Sequence, residues 1–540
     1  MTSVLLGLRL GRWGIVGFTA GGFAWTLLQT AGFYQVIGHT AADRAAFAAS
    51  IVTIAARFTA LVPPPIRPDT VGGYVEFRGF HELAILFSVW ALASAVGSTR
   101  GDEERGIVDA SLASGTPKVE WVATRAVAFT IALVAATIAS GAAFVIGVAS
   151  GGESVEPLRV VEVCALLTAL PLACYGIAVL VAQLATQRSA AAFAGIVLLA
   201  LFLLNSLSRA FGSLSTWRWL SPFRYYDLSQ PLPPGGYFSL GGLLALILIA
   251  VATTAAAALA FELRDVGAPL INVPARTRPP AYEPSSAPWW YVPVVRGLYD
   301  RRAGLLLWSA ATAAVAVLFA SLTRSIVQVL LSIPTLLPYL GAFVRQQVYP
   351  SVLGFTWFTF AELLFAAFAI VQVARWAAED ADGRLEMVLS KPISRAAVVV
   401  ERMAILCVGA LLIAAVSGAA LYYASHSNGI DLDAKRLAGA SLMLVPFCLV
   451  FAAAGSILTA WIPRAAVGLL GAFAFASYLD VELGPIFKVP AWLQDLSAFK
   501  LFGTPLVTGV DVNNLALLLL LACAGVGSSI LLMQRRDVGA

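Results

Sequence analysis

Twelve predominantly apolar runs along the chain are about as long as the 20 residues a helix needs to cross a bilayer. They cover about 13–38, 80–99, 121–149, 159–185, 189–208 and 239–262, then 303–323, 351–374, 401–424, 437–461, 465–482 and 513–533. Lipid offers no partner to a backbone N–H or C=O, so such runs must be helices. The first begins after Arg9 and Arg12 and is too long for a signal-peptide core, so it is expected to remain a span. Composition agrees. With 59% hydrophobic and 12% charged residues, the chain has too few ionic groups to cover a water-facing surface. That excludes a large soluble enzyme, and it excludes disorder, which needs low hydrophobicity.

The net charge of +5 comes from short basic clusters between the runs, without the dense stripe that nucleic acid requires. Such clusters more often mark cytoplasmic loops. Cys164, Cys174, Cys407, Cys448 and Cys523 all lie inside apolar runs, and His39, His81 and His426 are far apart. Neither a disulfide framework nor a metal cluster is expected.

Residues 264–302 read as a polar linker rich in Pro and Arg. It divides a first half, 1–263, from a second, 303–540, and the halves repeat. At an offset of 277, Gly106 falls on Gly383, Asp109 on Glu386, Leu112 on Leu389, Lys118 on Arg395, Arg125 on Arg402 and Ser140-Gly141 on Ser417-Gly418. At 276, Leu220-Ser221-x-Phe223-Arg224 falls on Leu496-Ser497-x-Phe499-Lys500. At 272, the five residues from Arg264 fall on the five from Arg536. Apolar similarity alone would match the spans and leave these polar islands unmatched. Six spans per half is an even number, so the halves are expected to be parallel repeats. The fold expected is an all-α integral membrane protein of about twelve transmembrane helices in two parallel six-helix repeats. Placing the N-terminus inside puts 21 of the 35 basic residues in cytoplasmic segments, which predicts that both termini are cytoplasmic.

The island after the second span of each half carries the strongest signal. In the second copy Leu385, Val388 and Leu389 stand at i, i+3 and i+4, one helical face, with Arg384 and Glu386 turned away. Val108, Ser111 and Leu112 are the matching face in the first copy. Each copy predicts a short amphipathic helix opened by acids. An apolar face aimed at the cytosol suits a docked partner; a helix lying flat in the headgroups is the alternative.

The second copy closely resembles the island of ABC-2-type transporter permeases, where acids precede Gly-x-Leu-Glu-x-x-Leu and Pro-x-Ser-Arg follows. The resemblance spans nearly the whole chain, and the double length is similar to fused exporters of polyketide antibiotics such as tetronasin. It implies a fold like that of type II ABC exporters, in which the island is the coupling helix that inserts into an ATPase subunit. The residues so implicated are Glu103, Glu104, Gly106, Val108, Asp109 and Leu112, then Glu379, Asp380, Gly383, Leu385, Glu386, Val388 and Leu389. The first copy departs from the pattern, with Gly115 where the second has Pro392 and Asp109 for the Glu. The implied role is export of hydrophobic or amphiphilic drugs or antibiotics across the plasma membrane, driven by ATP and not by an enzyme activity of this chain. A P-loop needs Gly-Lys-Ser/Thr, and none of the five lysines follows a Gly. ATP and Mg are therefore expected in a separate ATPase partner, in two copies, one per coupling helix.

By the same resemblance, the first, second and fifth spans of each half would line a substrate cleft. Phe18, Trp25, Phe33, Phe193 and Phe202 would offer stacking area there; core or lipid-facing packing is the plainer alternative for each. Glu362 stands 17 residues before Glu379, about 25 Å up a helix at 1.5 Å per residue. It is either a contact for cationic substrates or a structural group paired with a base such as Arg345, and Glu82 is its nearest counterpart in the first half. A proton-coupled antiporter of six plus six spans is the main rival reading. An intramembrane enzyme is a weaker one, since Asp480 and Glu482 lack a counterpart in the first half.

Overall fold

The computed structural model describes residues 2–37, 40–57, 63–185, 190–209, 212–270, 292–331, 348–381, 383–463, 465–487, 490 and 497–536. The chain separates into two units, Met1–Arg278 and Pro279–Ala540. Among the described residues there is no strand, only an isolated bridge between Gln230 and Tyr237.

The first unit includes α1 (Thr2–Gly32), α2 (Val71–Glu104), the short α3 (Ile107–Ala113), α4 (Lys118–Ser150), α5 (Pro157–Leu184), α6 (Ala190–Ser208) and α7 (Leu240–Leu263), with a further helix, Ala41–Arg57, between α1 and α2. The second opens with an extra short helix, α8 (Pro293–Asp300). There follow α9 (Arg302–Leu331), α10 (Val348–Asp380), the short α11 (Arg384–Leu389), α12 (Arg395–Ser427), α13 (Ala434–Trp461), α14 (Ala466–Phe487) and α15 (Val512–Arg535). Lengths agree in step: α4 and α12 have 33 residues each, α5 and α13 have 28, and α7 and α15 have 24. Each of α2 and α10 also contains a π-helical turn, Glu76–Phe80 and Gly354–Phe358.

Ten helices among the described residues are long and apolar enough to cross a membrane. The first and eleventh expected spans are helical as α1 and α14 but are not among the ten; α14 qualifies only as a shorter apolar helix over Ala466–Tyr478. Many of the exposed side chains on these helices are apolar, among them Ile138, Leu248 and Leu520. That suits lipid and not water, and the chain is a multi-pass membrane protein.

Packing follows one scheme in each unit. In the first, α1 lies along α4, α7 on α5 and α2 on α5; in the second, α9 lies along α12, α15 on α13 and α10 on α13. Lipid gives helices no hydrophobic reason to associate, so close contact of small residues must supply the energy. The recurrent Ser-Gly pair sits at such a crossing. A Cβ on Gly141 would come within 2.6 Å of the Cys164 sulfur, and one on Gly418 within 2.7 Å of the Ser441 hydroxyl. Gly141→Val and Gly418→Val should each destabilise by about 1–3 kcal/mol through overpacking. Melting of the purified variants in detergent checks this, and unchanged transitions would refute the crossing.

The expected linker is structured at both described ends. Arg264 is 4% exposed, and the Leu270 amide donates to the Gln183 carbonyl at 2.9 Å, so 264–270 belongs to the first unit. At the other end α8 packs on α12. Residues 271–291 lie outside the described residues.

Candidate functional site

Each island begins at the end of the second spanning helix with a recurring pair of acids, Asp102-Glu103 on α2, where Glu104 follows, and Glu379-Asp380 on α10. The first of each pair meets an arginine from the next long helix. Asp102 lies 2.9 Å from Arg125 and Glu379 lies 2.7 Å from Arg402. The second meets the arginine that follows, or closes, the last helix of the unit. Glu103 pairs with Arg264, and Asp380 with Arg536 at 2.6 Å. A third basic residue holds the backbone of that arginine. Lys118 Nζ donates to the Arg264 carbonyl at 2.7 Å, and Arg395 donates to the Arg536 carbonyl at 2.5 Å. The fourth long helix joins at its end, through the Gln183 side chain to Arg264 at 2.7 Å and the Thr459 carbonyl to Arg536 at 3.2 Å. Four long helices of each unit are thus tied by charge at one point.

The two knots differ in strength. Glu103 and Arg264 side chains are each 1% exposed, and a further buried arginine, Arg100, reaches Glu103 at 2.8 Å. Arg100 also donates to the carbonyls of Ala182 and Ala185, both at 2.8 Å. In the second unit Ala377 takes the place of Arg100, and the Arg536–Asp380 pair is 21% and 10% exposed.

Directly after each acid pair the chain turns through a glycine. Gly106 has φ 68 and ψ 9, and Gly383 has φ 69 and ψ 7. This left-handed conformation strains any residue with a Cβ, and it aims α3 and α11 away from the spans they follow. Gly115, at φ 89, occupies a conformation closed to the Pro found at the corresponding position 392.

The predicted site residues divide into two groups. Val108 and Leu385 are 1% and 3% exposed, with Leu112 and Leu389 half-buried against their own units. The apolar face expected to meet the cytosol is therefore partly spent on internal packing. Glu103 and Asp380 likewise point into the knot, since a carboxylate beside buried arginines is stabilised there. Glycine holds the N-cap of each short helix, and Asp109 and Glu386 stand in the first turns. Outward-facing residues are Glu104 and Asp109 on the first island and Glu386, Met387 and Val388 on the second. Met387 and Val388 are 65% and 40% exposed, whereas α3 shows no exposed large apolar side chain. Asp382 lies outside the described residues.

Of the proposed path aromatics, four lie in or against the first core and Phe193 is exposed. Phe33 is wholly buried in the first core, Phe18 stacks on Trp90 at 4.7 Å, and Phe202 meets Phe223 edge-on at 5.3 Å. Trp25 packs on the same core, and Phe193 is 56% exposed on the outer surface of α6. Glu362 is buried at the wall of a cavity of about 550 Å³ in the second unit, beside Tyr478, Phe499 and Lys500. Glu82 is 3.2 Å from Arg78. Arg345 lies outside the described residues, as do Leu496 and 537–540 of the recurrent polar islands.

The bases of the knots recur in the sequence, Lys118/Arg395 and Arg125/Arg402 at the acids' offset of 277 and Arg264/Arg536 at 272. Their joint role was missed because they stand up to about 160 residues from the carboxylates they hold, as with Arg264 and Glu103. Arg100 has no repeat partner and left no such signal.

A family model described as "Multidrug efflux system permease Rv1217c, C-terminal domain" matches residues 2–262 and 298–532, one stretch in each unit. Among curated proteins, none matches the chain.

Proposed function

We propose, from the premise that the chain belongs to the family of the multidrug efflux system permease Rv1217c, that it is the membrane-spanning part of an ATP-driven exporter. In this reading it moves hydrophobic or amphiphilic compounds out of the cell, across the plasma membrane, and a separate ATPase hydrolyses the ATP. The observation that carries it is the duplicated charge knot beneath an outward short helix. A force on α11 reaches its unit through Leu385, clustered with Val398, Val399, Ala460 and Met533, and through the end of α10, where Asp380 holds Arg536 and Glu379 holds Arg402. Such an arrangement suits transmission of a partner's movement, because ion-paired helix ends move together. The exposed Met387 and Val388 are the contact that a partner would bury.

The reading includes twelve spans in two parallel six-helix repeats, with α1 and α14 completing the set, and both islands and both termini in the cytoplasm. Matching helix lengths, matching packing and the paired knots support the repeat. The tetronasin-type exporters remain the resemblance that suggests polyketide substrates. Purification of the chain from its own membrane in mild detergent tests the partnership. A P-loop ATPase is expected at a fixed ratio, two per permease, with hydrolysis that falls when the permease is removed. A preparation that contains the active, folded permease without such a chain counts against it.

Glu362 favours a second reading, the proton-coupled antiporter, because buried acids within spans serve proton relays. Export of a matched cationic and neutral pair by Glu362→Gln separates the roles. An antiporter loses gradient-driven export of both. An ATP-driven exporter in which Glu362 contacts substrate loses the cation selectively, and a structural Glu362 gives equal losses that track the amount of folded protein.

A further inference from the structure

The short helix α8 sits against α12 so closely that a Cβ on Gly297 would come within 2.3 Å of Ile405. Between α8, the end of α10, α11 and α12 lies a cavity of about 400 Å³. Arg296, Arg301, Arg384 and Arg402 line it. Of the acids on its wall, Glu379 is engaged by Arg402, and Asp300 and Glu401 stand beside Arg296 and Arg301. Arg301 Nη1 is buried and has no hydrogen-bond partner among the described residues. Burial pushes the proton affinity of Arg301 below the ordinary arginine value, and the charges of Arg375 and Arg402 add to this against the pull of Glu379 and Glu401. A desolvated guanidinium facing other guanidiniums is costly, and an anion with several acceptor oxygens would recover that cost.

We propose that this cavity binds a phosphate group. The apolar span of α9 begins at Arg302, the residue after Arg301, so the cavity stands at the depth of lipid headgroups. A headgroup phosphate can reach it from the bilayer, and a free phosphate from the water. The guanidinium forks match phosphate oxygens, which a lone lysine ammonium would not do as well. The site lies wholly in the second unit, shares Val388 with the surface proposed for the ATPase, and is read on the chain alone.

The full chain, purified in detergent, is titrated with dioctanoyl phosphatidylglycerol, dioctanoyl phosphatidylcholine and inorganic phosphate, with melting temperature and native mass spectra as readouts. Phosphatidylglycerol is expected to raise the melting temperature and be retained in the spectra, with phosphatidylcholine weaker; this identifies the lipid source. An equal effect of inorganic phosphate identifies the free anion. In either case Arg301→Gln should raise the half-saturating concentration about tenfold, the loss of one charge-assisted bond. Arg296→Gln, at the cavity edge, provides the same test should Arg301→Gln fail to fold. Glu401→Gln should tighten binding by removing a competing negative charge. Equal responses to all three additives in the wild type, or binding unchanged in both arginine variants, would overturn the proposal.

Discussion

Glu103→Ala is expected to destabilise the protein by about 3–5 kcal/mol, the range for removing one partner of a buried ion pair. The side chains of Glu103, Arg100 and Arg264 are each about 1% exposed, so the two arginines would be left facing each other without a counter-charge. The Gly267 amide, 3.2 Å from the carboxylate, would lose its acceptor as well. Asp380→Ala in the second unit should cost less, about 2 kcal/mol, since that pair is more open, at 10% and 21% exposed, and no second buried arginine depends on it. Folded yield and melting of the two variants, prepared side by side, measure the difference. Equal losses would mean that the two knots carry equal weight and that Arg100 adds nothing.

The same asymmetry shapes the second prediction. The double change Met387→Asp with Val388→Asp places charge on a surface that is already open, so the permease should fold and insert as before. If a partner buries that surface, an unpaired carboxylate there costs several kcal/mol, enough to weaken docking by about a hundredfold or more. Permease-dependent ATP hydrolysis should then disappear. Leu389→Asp should act in the same direction but also loosen the fold, because Leu389 packs on Leu385 and its neighbours. Leu112→Asp, on the first island, should have the smaller effect on hydrolysis. Leu385→Asp serves as the contrast, since its 3% exposure makes loss of folded protein the expected outcome.

The spanning helices were legible because 20 apolar residues leave the chain no other structure in lipid. The islands were legible because charge and glycine are rare enough here for their recurrence to stand out. What periodicity cannot give is the direction in which a short helix turns. Val108, Ser111 and Leu112 read as one face, yet the left-handed turns at Gly106 and Gly383 send Val108 and Leu385 into their own units and leave Val388 outside. Nor could the linker's edges be read from its prolines. Arg264 looked like the start of a polar tether, but a buried carboxylate at Glu103 draws it into the fold. The aromatic residues Phe18, Trp25, Phe33 and Phe202 pack in or against the first core while Phe193 is exposed, a division that the sequence does not show. On an apolar helix, a Phe facing lipid and a Phe facing the core occupy equally favourable surroundings, so sequence does not separate Phe193 from Phe33.

Transport into sealed vesicles separates an ATP-driven exporter from a proton-driven one. The chain would be reconstituted with the co-purified ATPase and, in parallel, alone, and uptake of an apolar fluorescent amine followed under ATP or under a proton gradient. Uptake is expected only with ATPase and ATP together, and is abolished by the Met387→Asp with Val388→Asp change. Uptake by the chain alone under a proton gradient, lost in Glu362→Gln and indifferent to the α11 change, would contradict the ATP-driven reading.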